Sequence, residues 1–193
     1  DLPLQFDTAD ANALAAALRR YNGKAMINSV NGKEESMRAV FPLVKKYGGV
    51  VVGLALDEDG IPETAEGRLR VAEKIVQRAE AYGIAREDVV IDVLCMTISS
   101  DAQGAKTTLE ALKLVKERLG VRTILGVSNI SFGLPQREII NANFYTMALQ
   151  NGLDAAIINP NADAMMRSFF AYRALYAKDD NCTDYIDHYA GVT

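Results

Sequence analysis

Six polar residues each stand just after a short apolar run: Asp7, Asn28, Asp57, Asp92, Asn129 and Asn159. All are carboxylates or amides, and no Lys, Arg or His joins them. The set lacks any arrangement of a nucleophile with a base. A single His188 and two distant cysteines, Cys95 and Cys182, make a zinc site improbable as well. Carboxylates accept hydrogen bonds, while amides both donate and accept. Such a set suits a neutral ligand with many hydrogen-bonding edges. At the ends of buried strands these groups cost free energy unless a partner satisfies them.

The elements that deliver them alternate. The expected strands are Leu4–Phe6, Lys24–Ile27, Val50–Leu56, Val89–Ile91, Arg122–Val127 and Ala155–Ile158. Between them the spacing predicts helices over Ala11–Tyr21, Glu34–Tyr47, Thr64 to about Tyr82, Ala105–Leu119, Pro135–Gln150 and Ala162–Ala177. Asp10 and Thr64 read as helix caps, Gly48 and Gly120 as stops, and Pro135 as a first helical residue. A polar tail, Lys178–Asn181, precedes an aromatic segment, Tyr185–Tyr189.

Six βα units with a period near 30 residues, undivided by a long linker, predict one α/β domain over residues 1–193 with a parallel sheet. Two architectures satisfy that pattern: an open doubly wound sheet, or a (β/α)8-type barrel present in part. The first turn lacks G-x-G-x-x-G and no strand leads into a Walker-type loop, which argues against a nucleotide-binding open sheet. In a barrel all six strand ends open on one face.

Composition narrows the function classes. A net charge of -4 and a pI near 5.1 give no electrostatic footprint for nucleic acid or an anionic membrane. The longest apolar run, Val50–Leu56, is far too short to span a bilayer. No charged-then-apolar leader precedes the first strand and the cysteines form no framework, so a cytoplasmic setting is expected. Among the strand ends, Asp57 and Asn159 lie in turn-like sequence and read as turn residues. Asp7, Asn28, Asp92 and Asn129 sit closer to their strands; each is open between a cap or turn role and ligand contact. Phe132, in the loop after the fifth strand, either stacks on a planar ligand or packs on its own helix. Cys95 reads as a small buried hydrophobe, and Asp57-Glu58-Asp59 as a solvated loop.

A pterin ring is a ligand of the required kind, because its N3–H and 2-amino group form a donor pair that one carboxylate can accept bidentately. The motifs Gln5-Phe-Asp-Thr8, Met26-Ile-Asn-Ser29, Ala55-Leu-Asp-Glu-Asp-Gly-Ile-Pro62, Val90-Ile-Asp-Val93 and Gly126-Val-Ser-Asn-Ile-Ser-Phe-Gly133 are similar to those of a known family. With Leu153-Asp-Ala-Ala-Ile-Ile-Asn-Pro160, they make the chain resemble the pterin-binding domains of cobalamin-dependent methionine synthases and corrinoid/folate methyltransferases. The resemblance implies an eight-stranded barrel in which Gln5–Thr8 is the third strand, so the first two βα units are missing and the chain, which starts at Asp1, is an excised piece.

The resemblance also implies roles. Asp7, Asn28 and Asp92 would hold the pterin with Ser128 and Phe132 beside it, and Asn129 would sit at N5. The reaction implied is transfer of the N5 methyl of 5-methyltetrahydrofolate to cobalamin, with cob(I)alamin as acceptor on a partner protein or domain. No metal would be bound by the chain itself, and stand-alone members of the family imply a homodimer. Dihydropteroate synthase is the enzymatic alternative, but that family carries basic residues on its last two strands, where this chain has Ser128-Asn129 and Asn159-Pro160. A different class of reading is a non-catalytic pterin-fold piece that binds or scaffolds.

Overall fold

The computed structural model describes residues 2–190. Its six strands are β1 (Gln5–Asp7), β2 (Met26–Asn31), β3 (Val50–Leu54), β4 (Val89–Asp92), β5 (Arg122–Gly126) and β6 (Ala155–Ile157). All neighbouring pairs are parallel and the strands lie in sequence order from β1 to β6. A doubly wound sheet must reverse direction at a switch point; this one never does. Successive crossovers of one hand therefore place the helices on one face. The result is a curled half-barrel, the partial barrel expected from the sequence.

The helices are α1 (Ala11–Leu18), α2 (Glu34–Tyr47), α3 (Ala65–Ala81), α4 (Gly104–Leu119), α5 (Arg137–Gln150), α6 (Asp163–Leu175) and a short α7 (Thr183–Tyr189). Asp10 caps α1 by accepting from the Asn12 and Ala13 amides, and Thr64 caps α3 through the Gly67 amide. Gly48 and Gly120 close α2 and α4 at positive φ, as the stop signals indicate.

The two faces of the sheet hold unequal cores. The convex face carries the main one, in which Ile27, Val51, Ile91 and Leu125 meet Met37, Phe41, Ile75, Leu112 and Phe144 from the helices. On the concave face the buried apolar residues among those described are Val52, Val90 and Ile124, flanked by Met26, Val50, Leu54 and Ala155. Among the described residues β1 pairs only with β2, and β6 only with β5. The concavity is thus open along one side.

Several expected boundaries move, for visible reasons. The first helix stops at Leu18 instead of Tyr21, because Tyr21 folds back onto β1; its hydroxyl accepts the Leu4 amide at 3.1 Å and its ring meets Phe6 edge-on. The second strand runs past Ile27 to Asn31, with a register shift between Asn28 and Val30. The third ends at Leu54, before Leu56. Pro135 does not open a helix. Gln136 takes a left-handed conformation and α5 starts at Arg137, whose side chain is drawn back to Ser128 and Ser131. The last long helix ends at Leu175 before Ala177, and the aromatic segment is helical as α7.

Candidate functional site

Register partners in parallel strands share a face. Asp7 is paired with Asn28, Asn28 with Val52, Val52 with Val90, and Leu54 with Asp92, which in turn pairs with Ile124. Since Val52, Val90 and Ile124 form the concave core, Asp7, Asn28 and Asp92 belong to the same concave face. Asp7 and Asp92 are the last residues of their strands, and Asn28 lies midway along β2, beside Asp7 and level with Val52. The carboxyl-terminal ends of the strands are where barrels gather their ligand contacts.

Asp92 is the most constrained of the set. It is 9 % exposed, and its Oδ1 accepts the Leu94 amide at 2.8 Å. Oδ2 has no hydrogen-bond partner among the described residues yet keeps accessible surface. Burial pushes the carboxyl from 3.8 up to about 6, while the Leu94 amide and the Arg68 charge pull it back. Leu94 itself has φ 65°, a left-handed conformation that is unfavourable for a γ-branched residue and local to this turn.

Below Asp92 lies Arg68, 2 % exposed, the largest of the fully buried side chains. It projects from the first turn of α3 and donates to four groups. Nε bonds the Pro62 carbonyl at 3.0 Å; Nη1 bonds the Val93 carbonyl at 3.2 Å, the Leu94 carbonyl at 2.7 Å and Thr108 Oγ1 at 3.2 Å. The sequence reading missed this residue. Its signal was present, because position 68 falls on the stripe of α3 that holds Ala72, Ile75, Val76 and Ala79. An arginine on an apolar stripe is a buried cation, and one with hydrogen-bond work to do.

Ser128 and Asn129 fall in a 3-10 turn, Val127–Ser131, directly after β5. Asn129 folds back over the strand: a Cβ at Gly126 would lie 3.2 Å from its Nδ2. Gly126 is in register with the concave-face row, so glycine there makes the room that Asn129 occupies. The Asn129 amide has no hydrogen-bond partner among the described residues, in contrast to its neighbours. The Ser128 carbonyl accepts from Arg137 and Ser131, and Ser131 is itself bonded to Asn141. Phe132 is 51 % exposed, with the Arg137 guanidinium 4.7 Å from its ring centre. Its packing is therefore on the start of its own helix.

The loops after β4 and β5 are fastened to each other. Thr97 Oγ1 and Ser99 Oγ donate to the Phe132 carbonyl at 2.8 and 2.7 Å, and the Ile98 amide donates to the Ile130 carbonyl at 3.0 Å. This clasp sets the Asn129 turn relative to the loop that follows Asp92.

At the other side of the face the contacts are looser. Asp7 is exposed on a three-residue strand, and Asn28 Nδ2 reaches its Oδ2 at 3.4 Å. Asp57 and Asn159 are turn residues, accepting the amides of Asp59 and Asn161. Cys95 is buried, and desolvation raises its thiol to about 12, so it is no nucleophile. No cluster of metal-ligating side chains exists among the described residues, and no helix there is long and apolar enough to cross a membrane.

Comparison with known proteins adds a family to this geometry. The pterin binding enzyme family matches residues 1–159. The chain belongs to that family. This pterin-binding chain is 33% identical over 171 residues to a methionine synthase of Mycobacterium tuberculosis, covering 82% of the chain and 14% of that protein. It is 29% identical over 190 residues to a methylcorrinoid:tetrahydrofolate methyltransferase of Eubacterium limosum, covering 96% of the chain and 69% of that protein. The chain thus spans about a seventh of the first relative's length. Dihydropteroate synthase of Yersinia pestis superimposes with a TM-score of 0.69 at 16% identity, over 92% of this chain and 73% of that one. The Xanthomonas albilineans enzyme bound to 7,8-dihydropteroate gives 0.66 at 20% identity, over 91% and 69%. At such identities the structural likeness speaks to the fold alone.

Proposed function

We propose that the concave strand ends form the folate site of a corrinoid-dependent methyltransferase, moving a methyl group between N5 of 5-methyltetrahydrofolate and cobalamin on a partner protein or domain. The observation that carries the reading is Asp92: a buried carboxylate with one oxygen fixed and the other unengaged, facing the concavity. The N3–H and 2-amino group of a pterin are parallel donors that such a carboxylate accepts together. Asn28 adds an amide on the same face, next to Asp7. The free oxygen of Asp92 and the loosely held Asn28–Asp7 pair match the edge chemistry of the ring.

Cobalamin, when bound to its own carrier, would supply the nucleophile in its Co(I) state, which removes any need for one in this chain. What remains for the chain is to hold and orient the ring and to ease the change of charge at N5. Asn129 suits that second task. Its amide is unengaged and can present either its carbonyl or its NH2, so it can favour the protonated or charged N5 as the bond to carbon breaks. The Eubacterium limosum relative is named for transfer from corrinoid to folate, and the same residues serve either direction, since one transition state is shared.

Calorimetric titration of 5-methyltetrahydrofolate into the chain, with Asp92→Ala beside it, tests the reading. Saturable binding that the substitution abolishes is the expected result. A folded chain that binds no folate, or binds equally well without Asp92, overturns it.

A further inference from the structure

Arg68 is a buried guanidinium whose hydrogen bonds all go to uncharged acceptors, and no Asp or Glu is in salt-bridge contact with it among the described residues. Taking a cation out of water without an ion partner is costly, so its retention needs a reason. Its acceptors supply one. Two of them, the Val93 and Leu94 carbonyls, belong to the two residues that directly follow Asp92. The Leu94 amide is the group that fixes Asp92 Oδ1. Holding both carbonyls from below turns that amide upward, in a left-handed conformation that Leu94 would not adopt unaided.

We propose that Arg68 is the positioning residue of the pterin site: from α3 it clamps the Val93–Leu94 turn so that the Leu94 amide meets Asp92, and it sets a positive charge beneath that carboxylate. The inference rests on Asp92 being the pterin contact. Thr108, whose hydroxyl also donates to the Gly104 carbonyl, ties the same clamp to α4. The clamp therefore joins the first turns of α3 and α4 to the end of β4.

The charged and titratable groups around the pair divide clearly. From α3, Arg68 itself acts on Asp92. From the loop after β4, Cys95 is a neutral thiol at physiological pH and Asp101 acts on Arg68. From β3 and β5, the register neighbours Leu54 and Ile124 carry no charge. Against the desolvation that raises Asp92, the hydrogen bond from the Leu94 amide opposes protonation most, and Arg68 adds the one opposing charge.

The test is a pH titration of the Asp92 carboxyl carbon by 13C NMR in the ligand-free chain, for wild type, Arg68→Met and Arg68→Lys, followed by 5-methyltetrahydrofolate affinity from pH 5 to 9. In wild type the Asp92 midpoint is expected near 6. Arg68→Met should raise the midpoint by about one unit or more and weaken folate at pH 7 by roughly tenfold, with partial recovery at pH 9. Arg68→Lys, which keeps charge but not the fork, should restore the midpoint and only part of the affinity. An unchanged midpoint in folded Arg68→Met overturns the proposal, as does a uniform affinity loss at every pH. If Arg68→Met fails to fold, Arg68→Lys with full affinity overturns the clamp. Wild type that titrates as expected yet binds no folate would instead sink the pterin reading and leave the Arg68–Asp92 coupling standing.

Discussion

The concave face is built to two standards. Around β4 and β5 the backbone that carries the two unengaged groups is supported: Asp92 on the Leu94 amide, the Leu94 turn on Arg68, and the two loops on each other through Thr97 and Ser99. Around β1 and β2 the corresponding pair, Asp7 and Asn28, meets at 3.4 Å on an exposed, three-residue edge strand. Both regions contribute the same residue types to one face. What separates them is the number of neighbours, because a central strand inherits second contacts from the elements on either side and an edge strand does not. Preorganisation of a site is thus a property of position in the sheet as much as of the residues themselves.

Removing the central carboxylate should have the largest effect. Asp92→Asn keeps the acceptor for Leu94 but not the charge, and folate affinity should fall about 100-fold, as loss of a charge-assisted pair of hydrogen bonds implies. The same change should stabilise the fold. A carboxyl raised from 3.8 to about 6 by folding favours the protonated form, so its contribution is full below pH 4 and is lost as pH rises through 6. Above pH 7 the ionised Asp92 therefore costs about 3 kcal/mol, and the Asn variant should unfold at higher denaturant than wild type at pH 8 but not at pH 4. Equal stability at both pH values would show that the buried charge carries no such cost. For binding the sign reverses: ligand donors favour the carboxylate, so wild-type affinity should drop below pH 6.

The next effect belongs to Asn129. If its unengaged amide acts at N5 as the methyl group leaves, Asn129→Ala should slow methyl transfer to free cob(I)alamin about 100-fold in single turnover while changing folate affinity little. A parallel loss of affinity and rate would make Asn129 an ordinary binding contact. Smaller still is the clasp. Thr97→Val removes the hydroxyl that donates to the Phe132 carbonyl, at a cost of about 1 kcal/mol in chemical unfolding. Its rate defect should resemble a milder Asn129→Ala, since the turn would loosen without losing its amide. A stability loss with a wild-type rate would separate the clasp from the site.

The contrast between centre and edge also explains what could be read from the sequence. The βα alternation, both side-chain caps and the glycine stops were legible because each depends on local chemistry, and Asp92 and Asn129 were marked by standing where apolar runs end. The choice of barrel over doubly wound sheet was not local; it was expected from the absence of G-x-G-x-x-G and from the family motifs, and the strand order bears it out. Arg68 was visible only as an arginine on an apolar stripe, with nothing in the string to name the Val93 and Leu94 carbonyls as its partners, 25 and 26 residues on. Pro135 misled for a related reason: its neighbour Arg137 is recruited by Ser131 and the Ser128 carbonyl, a contact that moves the helix start.

Asp7 is where the comparison can be broken most cheaply. If the edge half of the face contributes as an ordinary exposed contact, Asp7→Ala should weaken folate by no more than about threefold, because a solvated hydrogen bond exchanges with water at little net gain. Stability should be unchanged within error, as expected for a surface position away from caps and the core. A loss approaching that of Asp92→Asn would mean that β1 is not an edge when folate is bound, and that further strands or a partner cover it. The two outcomes can be told apart by repeating the titration with Asn28→Ala. Asn28 lies one strand further in and is half-buried, so on the edge account its removal should cost more than that of Asp7, whereas a covered β1 would make the two losses equal.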